Sequence, residues 1–278
     1  MMLSAHAQAI TLADVQSFLK PRPMDAHKGL FGQVLVVGGD YGMPGAVRIA
    51  AEGALRVGAG LVTVLTRSAH IAAVVSERPE LLCYGTDVSL KIVSELLAHA
   101  NFVVLGSGLG QSAWSERLFD AVFESDLPKV IDADGLNWLA RRQNLSPSSN
   151  WILTPHPGEA ARMLGKQVAD IQNNRSAALL ALQNRYGGVI VLKGAGTLLI
   201  GSDQKPVQCL AGNPAMASAG MGDVLSGLIA GLAGQGLSLW EAAQAGVVMH
   251  ATAADRVVAK RGSRGLLALD LLPELANM

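Results

Sequence analysis

The sequence has little charge of either sign, and it lacks long apolar runs. Charged residues make up 16% of the 278 residues, and lysine plus arginine equals aspartate plus glutamate at 22 each. This balance gives no reason to expect binding to nucleic acid or to an anionic membrane. The apolar runs are shorter than the ~18 residues that a membrane span needs, and the N-terminal segment lacks the basic and apolar regions of a secretory signal. We therefore expect a cytoplasmic protein without a membrane or nucleic-acid partner.

Cysteine is also scarce, since Cys83 and Cys209 are the only two in the chain. Both lie in segments predicted as strands, and neither metal-ligand spacing nor a disulfide framework is present, so we expect two small buried apolar side chains. Half of the residues are apolar and 31 are glycine, which is typical of a compact chain with many tight turns. The length favours one domain, placed at 28–278 after an N-terminal arm at 1–27.

Short β-branched runs alternate with helical stretches, which predicts an α/β fold with a largely parallel sheet covered by helices. The predicted strands begin at residues 34, 61, 102, 129, 151 and 189. The predicted helices are 11–19, 44–57, 88–99, 112–124, 170–185, 222–234, 239–258 and 268–276. Two more strands begin at 197 and 206 around a polar turn, and they predict a hairpin at the sheet edge.

Glycine-rich turns follow several predicted strands, at the end of a parallel sheet where ligands usually bind. The segments 38–46 and 106–110 could let backbone N–H groups approach an anion. Each alone is equally well explained as a tight connection, and neither has the spacing of a dinucleotide fingerprint or a P-loop.

The segment 212–232 gives a stronger signal, because a run of small residues ends at Gly220, Met221 and Gly222, directly before Asp223 and an apolar helix. The amides could hold a phosphoryl group while Asp223 acts as a base on an attacking hydroxyl. The alternative is that Asp223 only caps the helix. The density of small residues favours a functional site.

Polar side chains also follow three of the strands. Lys193, beside small residues, could hold nucleotide phosphates or be an ordinary solvated lysine. His156 lies at a strand end with Glu159 in the next helical turn, and its place at the common sheet edge favours a functional role. Asp132 and Asp134 could hold Mg²⁺ through water or cap the following helix, with equal weight.

Together these segments resemble the ADP/ATP-dependent NAD(P)H-hydrate dehydratase family, a branch of the ribokinase-like fold. The matching segments are 28–66, 103–110, 130–137, 152–165, 193–197, 212–232 and 247–256. The resemblance implies a ribokinase-like three-layer α/β/α architecture with a largely parallel central sheet. It also implies that ADP, with Mg²⁺, phosphorylates the extra hydroxyl of (6S)-hydrated NADH or NADPH, and that loss of phosphate then restores the dinucleotide and leaves AMP and phosphate.

The resemblance also implies roles for single residues. It places Ala46, Gly108 and His156 near the hydrated dinucleotide, with Asp223 as the base for its hydroxyl. The residues that it assigns to the adenine nucleotide are Lys193, Gly194, Ala195, Gly196, Thr197 and Gly222. It assigns no metal ligand and implies a homotetramer. Because the chain is too short for the epimerase domain of some relatives, another protein is expected to supply epimerisation.

The chain departs from the family pattern at three positions. Ser107 replaces a usual proline, and Ala215 and Ala219 replace usual glycines. Since alanine adopts a positive φ less readily than glycine, we expect a slightly reshaped loop before Asp223. Two other functions stay open: a small-molecule kinase of the same fold, such as a hydroxymethylpyrimidine or thiazole alcohol kinase, and a nucleotide-binding protein without catalysis.

Overall fold

The computed structural model describes residues 7–87, 89 and 91–278. The strands are β1 (Gln8–Ile10), β2 (Gln33–Val37), β3 (Leu61–Thr66), β4 (Leu82–Gly85), β5 (Phe102–Leu105), β6 (Lys129–Ile131), β7 (Trp151–Leu153), β8 (Val189–Leu192), β9 (Thr197–Ile200) and β10 (Val207–Cys209). The α-helices are α1 (Leu12–Gln16), α2 (Pro44–Arg56), α3 (Ile71–Val75), α4 (Lys91–His99), α5 (Ala113–Phe123), α6 (Asp134–Arg141), α7 (Pro157–Leu164), α8 (Val168–Asn173), α9 (Arg175–Tyr186), α10 (Met221–Gly234), α11 (Leu239–Arg261) and α12 (Leu272–Leu275). Short 3₁₀ segments occur at Lys28–Phe31, Ser68–His70, Pro214–Met216 and Ala268–Leu271.

The described strands form one sheet in the order β1-β10-β9-β8-β7-β6-β5-β2-β3-β4. All neighbours from β8 to β4 pair in parallel. Strand β9 is antiparallel to both of its neighbours, β8 and β10. The parallel strands therefore end at one common edge of the sheet, where the polar turns predicted from the sequence lie.

Helices cover both faces of the sheet. Alternate residues of β2 show this, because Val34 and Val36 pack into a core with α2, α10 and α11, whereas Leu35 and Val37 pack into a second core with α5, α6, α7 and α9. A strand buried on both faces reads as a continuous apolar run, as VLVV does. The three-layer α/β/α architecture predicted from the sequence is confirmed.

Helices α2 and α10 pack closely enough to bring their N-terminal ends together beside the sheet edge. A Cβ at Gly227 would overlap the backbone carbonyl of Ala50, and a Cβ at Gly53 would lie 2.9 Å from the Val224 carbonyl oxygen. Only glycine permits this approach of two backbones. The first turns of the two helices, which carry Ala46 and Asp223, are fixed relative to each other as a result.

The structure corrects several details of the secondary-structure prediction. The predicted helix 170–185 is wrong as a single element, because Asn174 has φ −143° and ψ 76° and separates α8 from α9. Its side chain accepts a hydrogen bond from Ala177 N and so caps α9. The predicted helix 11–19 ends at Gln16, and the predicted helix 268–276 is a 3₁₀ turn followed by the short α12. Residues 88 and 90 of the predicted helix 88–99 lie outside the described residues.

The sheet edges were also incompletely predicted. The hairpin of β9 and β10 is confirmed, but it does not form the edge, because β1 pairs with β10 on its outer side. Strand β1 was not predicted, because its three residues are too few to show a pattern, whereas β4 confirms the expectation that Cys83 lies in a strand. Cys209 is buried as expected, whereas Cys83 in β4 is only partly buried. None of the helices in the described part of the chain is long and apolar enough to cross a membrane.

Candidate active site

The first two glycine-rich turns lie side by side where the strand order reverses. Strand β2 lies between β3 and β5, and Val37 pairs with Leu105 at their ends. In the turns that follow, Gly39 N donates to the Ser107 carbonyl at 3.0 Å and Asp40 N donates to the Gly108 carbonyl at 2.7 Å. Such a reversal opens a crevice beyond the strand ends, which is the usual ligand position in this architecture. The two turns form one wall of that crevice.

Gly108 lies against the first turn of α2. A Cβ on Gly108 would lie 2.9 Å from the Cβ atoms of both Ala46 and Met43, and its φ is +56°. Both observations require glycine at this position. The structure thus brings together Gly108 and Ala46, the two small residues that the family resemblance assigned to the hydrated dinucleotide.

Lys193 and Asp132 form a buried ion pair between two strand ends. Lys193 follows β8 and Asp132 follows β6, and Lys193 Nζ lies 2.6 Å from Asp132 Oδ1. Asp132 Oδ2 accepts a hydrogen bond of 2.8 Å from Ser226 Oγ in α10. Because Asp132 is only 1% exposed, this pairing is what makes a charge tolerable there.

The Lys193 ammonium group also lies 3.7 Å from Glu159 Oε2. Burial opposes charge on Lys193, but Asp132, Glu159 and Asp223 outweigh it and raise the pKa of the ammonium group. Burial in turn raises the pKa of the Glu159 carboxyl, and Lys193 opposes that rise. The interpretation of Lys193 as a solvated strand-end lysine is therefore wrong, since the structure holds it as a permanent cation inside the site.

Asp223 lies in the first turn of α10. Gly220 occupies the N-cap position with φ +87°, and no side chain caps the helix, so the alternative in which Asp223 serves only as a cap is wrong. Burial raises the pKa of the Asp223 carboxyl to about 7, Asp132 and Asp134 add to the rise, and Ser107 and Lys193 oppose it. A carboxyl that titrates near neutral pH is suited to accept a proton and release it again.

Gly222 lies between Asp223 and the ion pair. A Cβ on Gly222 would lie 3.4 Å from Lys193 Nζ and 3.5 Å from Asp132 Oδ2. The absence of a side chain leaves the space between the helix N-terminus and the lysine open. Backbone N–H groups at a helix N-terminus with a nearby cation suit a phosphate group.

The turn 193–197 is organised by an arginine that the sequence did not single out. Arg175, at the start of α9, donates to the carbonyl oxygens of Leu192, Lys193, Ala195 and Gly196 at 2.9 to 3.3 Å. Gly194 has φ +131°, and a Cβ there would lie 2.6 Å from the guanidinium. Thr197 Oγ1 donates to the Gly194 carbonyl at 3.1 Å. The carbonyl groups of the turn are thus held by Arg175 and Thr197.

His156 has a structural contact at the rim of the same site. Its Nδ1 accepts a hydrogen bond from Gly158 N at 2.9 Å and so caps α7, while half of the side chain is exposed. Burial lowers the pKa of the imidazole, and the cations Lys193 and Arg162 lower it further. Because Nδ1 accepts a hydrogen bond, the neutral imidazole carries its proton on Nε2, which lies 3.4 Å from Glu159 Oε1. The role of His156 toward the hydrated dinucleotide stays a prediction.

The loop before α10 is tied to α11. Asp255 accepts hydrogen bonds of 2.8 Å from both Gly212 N and Asn213 Nδ2. Neither Ala215 nor Ala219 has a positive φ, so the replacement of the usual glycines imposes no backbone strain here.

Neither Asp132 nor Asp134 caps α6, so the capping alternative is wrong. The N-cap of α6 is Ala133, which has φ +49°. Asp134 Oδ2 instead accepts from Gly110 N at 2.8 Å, and both oxygens of Asp132 are occupied by Lys193 and Ser226. Among the described residues no group of three or more His, Cys, Asp or Glu side chains could hold a metal ion. Contact of Asp132 or Asp134 with Mg²⁺ through water needs no such cluster and stays a prediction.

Two contributors escaped the sequence analysis for different reasons. Arg175 looks like any arginine in an amphipathic helix, and only the fold shows that it lies under the turn. Ser226 gave a usable signal, because a hydroxyl in the middle of an apolar helix must find a partner once it is buried.

A family model for NAD(P)H-hydrate dehydratase matches residues 34–277 of the chain. The chain belongs to the NAD(P)H-hydrate dehydratase family. The resemblance inferred from the segments around Asp132, His156 and Asp223 is thereby confirmed. Every site residue described above lies within the matched range.

Curated relatives include the bifunctional NAD(P)H-hydrate repair enzyme Nnr of Coxiella burnetii, which is 55% identical over 92% of this chain and 52% of that protein. The ADP-dependent (S)-NAD(P)H-hydrate dehydratase of Neisseria meningitidis is 39% identical over 91% of this chain and 87% of that protein. The chain thus spans about half the length of the bifunctional relatives it matches, and most of the length of the Neisseria dehydratase.

Solved structures agree with the family assignment. The ADP/ATP-dependent NAD(P)H-hydrate dehydratase of Bacillus subtilis, co-crystallised with ATP and Mg²⁺, superposes with a TM-score of 0.88 at 29% identity over 99% of this chain and 98% of that one. A ribokinase-like superfamily protein of Enterococcus faecalis gives a TM-score of 0.91 at 24% identity over 100% of this chain and 96% of that one, which bears on the fold alone. The predicted ribokinase-like fold is confirmed.

Proposed function

We propose that the chain catalyses ADP-dependent dehydration of the (6S) hydrates of NADH and NADPH, a repair reaction that yields NADH or NADPH together with AMP and phosphate. The observation that carries the proposal is the placement of Asp223. Its carboxyl group, with a pKa of about 7, lies at the N-terminus of α10 beside the Lys193–Asp132 pair. Membership of the dehydratase family supports the choice of substrate.

Asp223 starts the reaction by taking the proton of the extra hydroxyl on the hydrated ring. The hydroxyl oxygen forms a bond to the terminal phosphorus of ADP, and the bond from that phosphorus to the bridging oxygen breaks, so AMP leaves with the electron pair. The ring carbon–oxygen bond then breaks as the ring nitrogen donates electron density, phosphate leaves, and loss of a ring proton restores the double bond. The buried setting of Asp223 favours this proton transfer at neutral pH.

Lys193 and the N-terminal amides of α10 hold the transferring phosphoryl group. The cation is already in place before the nucleotide binds, so little reorganisation is needed when negative charge develops. The turn 193–197 with Gly222 binds the remaining phosphate and the adenosine part of the nucleotide. Gly108 and Ala46, on the wall formed by the first two turns, and His156, at the rim, bind the hydrated dinucleotide.

Other expectations from the sequence stay predictions. They are the preference for ADP over ATP, the requirement for Mg²⁺, the homotetramer, the cytoplasmic location, and an epimerase supplied by another protein.

Product analysis tests the proposal. The full chain is incubated with purified (S)-hydrated NADH and ADP, and NADH, AMP and phosphate are quantified. We expect equal amounts of all three. Nucleotide turnover that depends on a thiazole alcohol or a hydroxymethylpyrimidine and leaves the hydrate untouched would assign the chain to a small-molecule kinase instead. ADP binding without turnover of any of these substrates would support a non-catalytic protein.

A further inference from the structure

Ser107 carries a buried hydroxyl that makes no well-formed hydrogen bond. The residue follows β5 in the turn 106–110 and is 0% exposed. Its Oγ makes no hydrogen bond of normal geometry with any described residue. An unpaired buried hydroxyl destabilises the folded protein, so its presence calls for an explanation in terms of function.

The backbone holds this hydroxyl in a fixed place. The Ser107 carbonyl accepts a hydrogen bond of 3.0 Å from Gly39 N, and the next residue, Gly108, has φ +56°, a conformation that glycine adopts without strain. These constraints fix the direction of the Cα–Cβ bond of Ser107, so that only rotation about χ1 moves its Oγ.

The Asp223 carboxyl is the functional group on which the Ser107 hydroxyl acts. The hydroxyl is close enough to oppose the rise in the pKa of Asp223 that burial causes. The other groups that act on this carboxyl are charged: Asp132 after β6, Asp134 in α6 and Lys193 after β8. Glu159 in α7 acts on it through Lys193, which it faces.

We propose that Ser107 is a positioning residue for Asp223: its hydroxyl donates to one carboxylate oxygen and leaves the other free to take the proton of the substrate hydroxyl. A donor on one oxygen stabilises the ionised form of the base and fixes the direction of its free lone pairs. The proton transfer rests on the proposed function above, whereas the pairing of Ser107 with Asp223 does not.

Proline, the usual family residue here, could not do this because it has no donor. A chain with serine at this position keeps its base ionised at a lower pH than an otherwise identical chain with proline. Ser107 therefore extends the pH range over which the base is ionised toward lower pH.

Four variants distinguish the effect of the Ser107 hydroxyl from the effect of the shape of the turn. Ser107→Ala and Ser107→Pro both remove the donor, and Ser107→Cys keeps the shape with a weak donor. Ser115→Ala is the matched control, because Ser115 is also 0% exposed but its Oγ bonds to the Leu109 carbonyl and to Asp40. Thermal unfolding checks that each variant folds.

The first readout needs no activity. The full-length protein, labelled with ¹³C at aspartate carboxyl groups, is titrated by NMR, and Asp223→Asn assigns the resonance. We expect the acid dissociation constant of Asp223 to fall roughly tenfold in the Ala and Pro variants, less in the Cys variant, and not at all in Ser115→Ala. An unchanged Asp223 titration in both Ser107→Ala and Ser107→Pro overturns the proposal.

The second readout is the pH profile of kcat/KM for the hydrated dinucleotide. Loss of the donor is expected to lower kcat/KM roughly tenfold near pH 6 and by less than about twofold near pH 9, where the base is ionised in every variant. An equal loss at both pH values shows a merely structural role and contradicts the proposal. If the unmutated chain has no activity, the proposed function fails, while the NMR titration still decides whether Ser107 pairs with Asp223.

Discussion

Lys193 Nζ lies 2.6 Å from Asp132 Oδ1, so the cation proposed to bind phosphate is already held by a buried carboxylate before any nucleotide arrives. The pair joins the ends of β8 and β6, and Ser226 ties it to α10. One ion pair thus links the stability of the sheet edge to the binding of a ligand. Loss of the pair should therefore lower both protein stability and ligand affinity.

Lys193→Met should weaken ADP binding and also destabilise the protein. Asp132 would keep a buried charge without its cation, and loss of one partner of a buried pair costs about 3–5 kcal/mol. We expect at least a tenfold weaker Kd for ADP by calorimetric titration, as for the loss of about 1.4 kcal/mol of binding energy, together with a lower Tm. Lys91→Met serves as a control, because that side chain is 85% exposed. A lower Tm with unchanged ADP affinity would limit Lys193 to a structural role.

Gly222→Ala should move stability and binding in opposite directions. Alanine is favoured over glycine in a helix by roughly 1 kcal/mol, so Tm should stay the same or rise. The new methyl group would lie 3.4 Å from Lys193 Nζ, in the space assigned to a phosphate, and we expect ADP affinity to fall roughly tenfold.

Gly45→Ala is the matched control for this test. Gly45 lies in the first turn of α2, and a Cβ there meets no atom within 4 Å. It should change Tm in the same direction without affecting ADP binding. Equal ADP affinity in Gly222→Ala and the unmutated chain would show that no phosphate lies against that amide.

Asp223→Asn should make the protein more stable at high pH. Because the folded-state pKa is raised to about 7 from 3.8, the folded protein binds the proton more tightly than the unfolded chain. The stability from that proton is fully present below about pH 4 and is lost as the pH rises through about 7. The Tm of the Asn variant relative to the unmutated chain should therefore increase by several degrees between about pH 5 and about pH 9.

Asp25→Asn, an exposed carboxylate outside the site, provides the comparison and should show no such trend. A difference in Tm between Asp223→Asn and the unmutated chain that is constant across this pH range would mean that Asp223 titrates like an ordinary aspartate.

Asp255→Ala should act on nucleotide binding from a distance. It removes both hydrogen bonds that hold Gly212 and Asn213, so the loop before α10 loses its anchor to α11. We expect KM for ADP to rise several-fold with a smaller effect on kcat, and a loss of stability of about 1–3 kcal/mol measured by denaturant unfolding. Glu116→Ala, at an exposed position in α5, should change neither. A fall in kcat with unchanged KM would place the effect on the chemistry instead.

Much of the fold could be predicted from the sequence, because the strands of a buried parallel sheet are continuous apolar runs. The segments between them show the periodicity of helices. The segments VLVV and FVVL needed only this pattern. The break at Asn174 could not be predicted from this pattern. Helices α8 and α9 continue one periodic stretch, and the interruption depends on a local cap. The edge strand β1 could not be predicted either, because three residues carry no periodicity.

The candidate site was predicted in outline rather than in its contacts. Strand-end positions of Lys193 and His156 could be inferred, since parallel strands end at one edge, and Asp223 could be located from the small residues before its helix. The partner of Asp132 could not, because pairing across β6 and β8 depends on strand order, which local sequence does not encode. The orphaned hydroxyl of Ser107 is likewise a property of three-dimensional packing.

The most direct test of the central claim is the recovery of the reduced-nicotinamide absorbance band after the chain and Mg²⁺ are added to purified (S)-hydrated NADH, with ADP or ATP in parallel and Asp223→Asn as the paired variant. The account predicts recovery with ADP in the unmutated chain and a loss of at least a thousandfold in rate in Asp223→Asn, in the upper range for removal of a general base, with ADP binding retained. No recovery with either nucleotide, or equal rates in the two proteins, would contradict it.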